Sequence, residues 1–223
     1  MSTPLVLAAC LAAGAVVGVA WVPLVPIFGE RSAESNDQPA WTRLFVSPLF
    51  LAGVSAALFA GAALRLDAAP RLAPGLILCA VLVGVTAVDL RYRIIPNRVV
   101  LPAALAGYAI SVALAPGRWL ELLVGALAAG LIMLIASIAS RGGLGMGDVK
   151  LALMLGAFLG RGVAVALIGG LLAAALPSIV LLLVHGRGGR KMTLALGPYL
   201  ALGGVVALLF GPDVLHWYWS QGH

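Results

Sequence analysis

Residues 119–140 read WLELLVGALAAGLIMLIASIAS, and this stretch decides the fold class. It has one charged residue, Glu121, in 22 positions, and a helix needs roughly 20 apolar residues to cross the hydrocarbon core of a membrane. It lacks the polar–apolar alternation of a strand in a membrane barrel. The stretch therefore predicts a transmembrane helix, in which every backbone polar group is satisfied internally.

The rest of the chain has the same character. Of its 223 residues 62% are hydrophobic and 10% charged, with a mean hydropathy of +1.11, which is too apolar for a soluble domain. Apolar runs predict helices over 4–27, 44–66, 72–90, 98–115, 119–140, 148–160, 162–185 and 192–211. We therefore predict an all-α polytopic membrane protein, a single domain over 1–223 with about eight transmembrane helices. The sixth helix is short for a span.

Basic residues are distributed unevenly between the predicted loops. Ten of the 14 lie in the first, third, fifth and seventh loops: Arg31, Arg43, Arg91, Arg93, Arg98, Arg141, Lys150, Arg187, Arg190 and Lys191. The opposite side contains Arg65, Arg71, Arg118 and Arg161. Because basic residues near helix ends favour the cytoplasmic side, we predict that both termini face outward. The same bias explains the pI near 10.0, so the charge does not indicate a nucleic-acid partner.

Cysteine and histidine spacing gives no sign of a metal. Cys10 and Cys79 lie inside apolar runs without CxxC spacing, which favours two unpaired, small core residues. His185, His216 and His223 show no ligand spacing either. We predict neither a metal site nor a cofactor.

Two aspartates stand at the rims of apolar segments. Asp89 lies in the stretch AVDLRYRIIPN (87–97), which leaves the helix before Pro96 because a proline disfavours helix at the preceding residue. Asp148 closes the run Gly145-Met146-Gly147-Asp148 within the stretch GGLGMGDVK (142–150), whose glycines let the backbone approach another chain closely. The predicted topology places both acids on the cytoplasmic face. Carboxylates at membrane depth are costly, so this pair is a candidate active site.

A pair of neighbouring carboxylates can hydrolyse a peptide bond without a metal or a covalent intermediate. Two like charges a few ångström apart cannot both ionise easily, so one carboxyl keeps its proton as general acid and the other activates water. The dyad hypothesis predicts a bell-shaped dependence of the rate on pH.

Each aspartate also has a plainer interpretation. Asp89 alone could be solvated at the membrane interface, and Asp148 alone could cap a helix. The glycines superficially resemble a dinucleotide loop, but no strand precedes them. Their occurrence together on one face favours the dyad. The acids predicted on the other face, Glu121, Asp67 and Asp213, are expected to be dispensable for the chemistry.

Three motifs follow one another in the chain: Asp89 with Ile94-Ile95-Pro96-Asn97, then Gly145-Met146-Gly147-Asp148-Val149-Lys150, then Leu196-Gly197-Pro198-Tyr199-Leu200-Ala201-Leu202-Gly203. Over residues 44 to 211 this order resembles the prepilin peptidases, the GxGD-type aspartic proteases of type IV pilus and type II secretion systems. The resemblance implies that Asp89 and Asp148 are the catalytic pair. It also implies a supporting loop of Gly145, Gly147 and Lys150, and a turn near the substrate at Gly197, Pro198 and Tyr199.

The resemblance further implies the substrate and the location. Such an enzyme lies in the bacterial-type cytoplasmic membrane and has prepilin or pseudopilin precursors and the lipid bilayer as partners. It cuts their leader peptides on the cytoplasmic side, typically after a glycine that precedes the hydrophobic pilin helix.

Two departures from the family pattern have consequences. Many bacterial members carry a cytoplasmic domain with paired CxxC motifs after the first helix, whereas this chain has a loop over 28–43 without cysteine. We therefore expect a short form, a peptidase without N-methyltransferase activity. The family often has aspartate where this chain has Asn97, a position that we do not expect to be catalytic.

Two other classes of protein stay open from the sequence. A presenilin-like GxGD protease shares Gly145 to Asp148, but Val88 rather than tyrosine precedes Asp89. A non-catalytic scaffold or a proton-coupled transporter would also use a buried acid. The small residues Gly125 and Ala129 permit close helix packing, either within the chain or between copies.

Overall fold

The computed structural model describes residues 3–29, 44–66, 69–140, 144–185 and 195–220. Within these ranges there are eight α-helices and no strand: α1 Thr3–Gly29, α2 Pro48–Arg65, α3 Ala69–Tyr92, α4 Asn97–Leu114, α5 Trp119–Ala139, α6 Met146–Leu159, α7 Val163–His185 and α8 Gly197–Ser220. Short 3-10 turns precede α5 and follow α6. The all-α prediction is confirmed. Of the predicted 28–43 loop, residues 28 and 29 belong to α1 and the rest lies outside the described residues.

Seven segments of the described chain are long and apolar enough to cross a membrane. Six correspond to single helices, and the seventh, Met146–Val180, joins α6 to most of α7. With only 14 residues, α6 is too short to count as a span by itself. The protein is therefore a multi-pass membrane protein, as the composition predicts.

The helices that carry the two aspartates lie at the centre of the bundle. α3 packs against α1, α2, α4 and α8, and α6 packs against α4 and α5. In the membrane-spanning part of α3 61% of the residues are buried, against 17% in α1. Leu82 from α3, Leu155 from α6 and Leu200 from α8 meet in the main core. Both aspartates therefore belong to the most enclosed helices.

α6 runs antiparallel along α5 at close range. The Ser137 hydroxyl donates a hydrogen bond to the carbonyl of Leu144 just before α6 (2.9 Å), and Arg161 N–H just after α6 donates to Glu121 (3.3 Å). Between these ends, a side chain on Gly156 would lie 2.6 Å from Cα of Ala126, so the two backbones touch. Small residues allow such contact where lipid offers no hydrophobic drive for association. Gly125 thus packs inside the chain.

The charged residues sort to the two ends of the bundle. We call the end with Asp89 and Asp148 the aspartate end and the other the opposite end. Glu121 pairs with Arg118 (3.2 Å), and Asp213 pairs with Arg65 (3.5 Å), both at the opposite end. The exposed cluster 217–219 (Trp-Tyr-Trp) lies at the opposite end too, where an interfacial belt is predicted. Asp67 lies outside the described residues.

The predicted bounds of the last helix were wrong at both ends. α8 begins at Gly197 rather than at 192; residues 192–194 lie outside the described residues, and residues 195 and 196 are not helical. Pro198 fits the first turn because its missing N–H is not needed there. At the other end the helix continues through Pro212 to Ser220. A proline inside a membrane helix is tolerated when neighbours satisfy the freed carbonyl.

Candidate active site

Asp89 lies in the last turn of α3 and is only 4% exposed. The helix ends just after it, because Arg93 takes a left-handed conformation with φ of 54°. The N–H of Arg93 still donates to the carbonyl of Asp89 (2.8 Å), which closes the final turn. The chain then runs through Ile94 and Ile95 and enters α4 behind the buried Pro96. The motif around Asp89 is thus a tight connection that turns the chain back at the aspartate end.

The first residue of α8 holds the Asp89 side chain. The N–H of Gly197 donates a hydrogen bond to Asp89 Oδ2 (3.1 Å). The first N–H groups of a helix have no partner within it, so this donor is free to bind a side chain. A Cβ on Gly197 would lie 2.5 Å from the same oxygen. The sequence predicted that Gly197 lies near the substrate. In the structure Gly197 binds the carboxylate of Asp89 directly.

Asp148 lies in the first turn of α6 and is 8% exposed. Its Oδ2 accepts a hydrogen bond from the N–H of Gly145 (3.1 Å), the residue before the helix. This is the acidic half of a capping box, so the capping interpretation of Asp148 is right for this contact. Capping does not account for a second buried acid, Asp89, at the same end.

Two contacts bring the two aspartate segments together. The Lys150 ammonium donates to the side-chain oxygen of Asn97 (3.0 Å), which joins α6 to α4 across 53 positions of sequence. A Cβ on Gly147 would lie 2.8 Å from Cβ of Ile95, so the glycine loop touches the connection after α3. The segment that carries Asp89 and the glycine loop that carries Asp148 therefore lie together at one end of the bundle.

The remaining predicted residues lie around this pair. Pro198 and Tyr199 are half-buried in the first turn of α8, and Tyr199 N–H donates to the carbonyl of Leu196 (3.1 Å). Gly145 and Met146 are exposed, so one side of the site is open. The contact of Ile95 with the glycine loop was not predicted from the sequence, although Ile95 belongs to the first of the three motifs.

The arrangement suits acid–base chemistry. Each carboxylate is held through Oδ2 by one backbone N–H, and no lysine or arginine in the described ranges forms an ion pair with either. Two buried carboxyl groups without a direct ion pair are the setting in which one keeps a proton and the other stays ionised. Such a pair can activate a water and protonate a leaving group at one place.

Comparisons with known proteins find a family that is similar to part of this chain. Residues 76–184 match the model of the type IV leader peptidase family, a range that includes both aspartates and excludes Gly197. The chain is also similar to the prepilin leader peptidase/N-methyltransferase of Bacillus subtilis (strain 168), with 34% identity over 110 residues. That alignment covers 48% of this chain and 43% of the relative, so it spans less than half of either protein. No solved structure gives a significant match. Over residues 76–184 this chain therefore matches the type IV leader peptidase family.

Proposed function

We propose that this protein is an aspartic endopeptidase that removes leader peptides from type IV prepilin-like proteins, with Asp89 and Asp148 as its catalytic pair. The observation that supports it most is the burial of two carboxylates on different helices at one end of a membrane bundle. Burying an acid is costly, and the capping bond of Asp148 explains only one of them. The family match over both residues supports the same activity.

In the proposed reaction one carboxylate takes a proton from a water molecule as it attacks the peptide carbonyl. The other carboxyl gives its proton to the carbonyl oxygen, which produces a tetrahedral diol. As the C–N bond breaks, the first carboxyl gives the proton from water to the leaving amine and the second takes a proton back from the diol, so both return to their starting states. The bonds from Gly197 to Asp89 and from Gly145 to Asp148 fix the direction of each carboxylate. Fixed groups lower the barrier because they need little reorganisation during the reaction.

The substrate approaches from the cytoplasm in this proposal. Arg91, Arg93, Arg98 and Lys150 all lie at the aspartate end, and basic residues near helix ends favour the cytoplasmic side. The precursor is a membrane-inserted helix whose leader lies on that same side. The exposed Gly145 gives an extended backbone room to pass next to Asp148.

We also propose that leader cleavage proceeds here without methylation of the new terminus. The name of the B. subtilis relative includes N-methyltransferase activity, but the alignment covers only part of that protein. In this chain residues 28–43, between the first two helices, contain no cysteine. Mass spectrometry of the mature product should therefore show a free amine, and a mass increase of one methyl group would contradict this proposal.

The test of the catalytic pair is cleavage of a prepilin-type precursor in membranes by the wild type, Asp89→Asn and Asp148→Asn. Asparagine keeps the size of the side chain but removes its acid, so the rate should fall by about 10²–10⁴-fold in each variant. Asp213→Asn is the matched control, because Asp213 is exposed and lies at the opposite end. Cleavage that survives either active-site change, at equal protein abundance, would favour the transporter or scaffold instead.

A further inference from the structure

A cavity of about 250 Å³ lies at the opposite end of the bundle, remote from the aspartates. Its walls come from the first half of α3, the end of α4, the start of α5, the turn after α6 and the second half of α8. The volume is below the roughly 300–1,000 Å³ of pockets for drug-sized ligands. The cavity is therefore large enough to hold a headgroup-sized part of a ligand, while the rest of that ligand would lie outside the cavity.

Three arginines line this cavity: Arg71, Arg118 and Arg161. The carboxylate of Glu121 accepts hydrogen bonds from Arg118 Nε (3.3 Å) and Nη2 (3.2 Å), so it offsets that arginine. Neither Arg71 nor Arg161 forms an ion pair with a carboxylate of the described residues. Guanidinium groups bind phosphate with two parallel hydrogen bonds. Glu121 also lines the cavity, but one carboxylate against three guanidinium groups leaves the lining positive, which favours an anion.

A buried hydroxyl in the wall is an independent indication of a ligand. Ser111 is 5% exposed, and its Oγ has no hydrogen-bond partner in the described part of the chain. It belongs to the cavity lining together with the three arginines. A buried polar group without a partner costs free energy, and most such groups in proteins are satisfied. The Oγ atom itself has almost no accessible surface, so an oxygen of a bound ligand would supply the missing bond once the Ser111 side chain turns toward the cavity.

The cavity also has apolar lining residues, and it lies at the end of the bundle where a membrane interface is predicted. The lining includes the buried Leu78 and the half-buried Leu208. Directly after Arg118 in the chain, the half-exposed Trp119 accepts a hydrogen bond through its carbonyl from the hydroxyl of Tyr108 (3.3 Å). Tryptophan and tyrosine are enriched at headgroup level. A ligand that combines an anionic group with apolar chains fits this surface better than a free ion does.

We propose that this cavity binds the phosphate of an anionic phospholipid, with Arg71 and Arg161 on the phosphate oxygens and Ser111 as an additional donor. The lipid's glycerol end enters the apolar part, and its chains lie outside among the bilayer lipids. With the orientation proposed above, the lipid belongs to the outer leaflet. The binding site is separate from the aspartates, so this proposal holds whether or not the protein is a peptidase.

The test is native mass spectrometry of the purified full chain in neutral detergent with added short-chain lipids. Phosphatidylglycerol and phosphatidylcholine of equal chain length are titrated separately, and inorganic phosphate serves as the free-anion probe. We expect one saturable adduct with phosphatidylglycerol and an affinity at least about fivefold lower for phosphatidylcholine, whose own cation opposes the arginines. Phosphate alone should bind at least about tenfold more weakly than phosphatidylglycerol, because it buries no apolar surface.

Variants locate the adduct in the cavity. Removing one charged donor in Arg71→Gln or Arg161→Gln should lower the affinity for phosphatidylglycerol about tenfold. Arg65→Gln is the matched control, since Arg65 lies at the same end but outside the lining. Ser111→Ala should weaken binding about threefold. Because Ser111→Ala removes only one hydroxyl, this variant can still test the proposal if an arginine variant does not fold.

Several outcomes would overturn the proposal. Equal binding of both lipids, or adduct numbers that rise without saturation, would show ordinary lipid contact. Unchanged affinity in folded Arg71, Arg161 and Ser111 variants would place the adduct elsewhere. Inorganic phosphate as tight as phosphatidylglycerol would make the cavity a site for free phosphate and not for lipid.

Discussion

The backbone N–H of Gly197 binds the side chain of Asp89 at 3.1 Å, although the two residues are 108 positions apart in sequence. The contact joins the end of α3 to the start of α8. It requires glycine, because any side chain at 197 would begin 2.5 Å from the carboxylate oxygen. Gly197, which belongs to the third sequence motif, thus helps to fix the orientation of the Asp89 side chain.

Gly197→Ala should reduce cleavage of a prepilin-type precursor by about 10²-fold, since a misplacement of about 1 Å can cost that much. The new methyl group pushes the Asp89 carboxylate away from its position. Gly53→Ala is the control, because a side chain there would meet nothing within 4 Å. Full activity of folded Gly197→Ala would show that the position of Asp89 Oδ2 is unimportant.

Gly147→Ala should also impair cleavage, through the backbone after α3 rather than through a carboxylate. Its methyl group would meet Cβ of Ile95 at 2.8 Å, so the two aspartate segments must separate. Ile95→Ala keeps that Cβ and should not rescue the variant. Rates of the single and double variants, each normalised to folded protein, decide this; rescue by Ile95→Ala would mean that the outer atoms of Ile95 cause the conflict.

The bond between Lys150 and Asn97 predicts a graded effect. Lys150→Met should reduce cleavage only a few-fold, because exposed polar contacts of this type contribute about 0–1 kcal/mol. Asn97→Asp should retain activity, since aspartate accepts the same hydrogen bond and adds an ion pair. A double-mutant cycle on the two residues measures their coupling. A loss in Lys150→Met as large as in Asp148→Asn would mean that Lys150 takes part in the chemistry.

The pH dependence of cleavage should be bell-shaped. At low pH both carboxyl groups are protonated and no base activates water; at high pH both are ionised and no acid protonates the carbonyl oxygen. The two apparent values belong to the pair and not to either residue. Initial rates across acid to neutral pH, on protein whose folding is checked at each point, test this. A rate that stays constant over the range would contradict the dyad.

Packing between α5 and α6 gives a prediction about stability. Gly156→Ala would place a methyl group 2.6 Å from Cα of Ala126, against backbone that cannot move aside as a flexible side chain does. Overpacking of this kind costs about 1–3 kcal/mol. The thermal midpoint in detergent should therefore fall, whereas Gly53→Ala should leave it unchanged or raise it, because alanine favours helix. An unchanged midpoint for Gly156→Ala would show that α6 can shift.

The sequence predicted most helix bounds within a few residues, because the length of an apolar run is itself the quantity that a membrane imposes. It failed at α8, where apolar residues before Gly197 resembled helix. Helix α8 begins only at Gly197, whose N–H binds the side chain of Asp89. This boundary involves a contact between distant parts of the chain, which hydropathy alone does not predict.

The acids of the site and its glycine loop were predictable from the sequence, but the contacts that hold them together were not. Asp89 and Asp148 stood out because acids are rare in apolar segments, and the structure brings them to one end; their catalytic role stays a prediction. The contact of Gly147 with Ile95 and that of Asn97 with Lys150 depend on how α3, α4 and α6 pack. The cavity at the opposite end was not predicted, because its arginines lie far apart in the sequence and in separate parts of the bundle.

The shortness of α6 sets the depth of Asp148 in the bundle. At 1.5 Å per residue its 14 residues cover only about 21 Å, whereas the hydrocarbon layer is about 30 Å thick. Polar residues stand at both limits of this helix, Asp148 at one and Arg161 at the other. The two limits therefore cannot both reach the membrane surfaces. Because longer helices enclose α6 and shield Asp148 from lipid, the bundle can hold this carboxylate below the membrane surface without exposing it to the hydrocarbon layer.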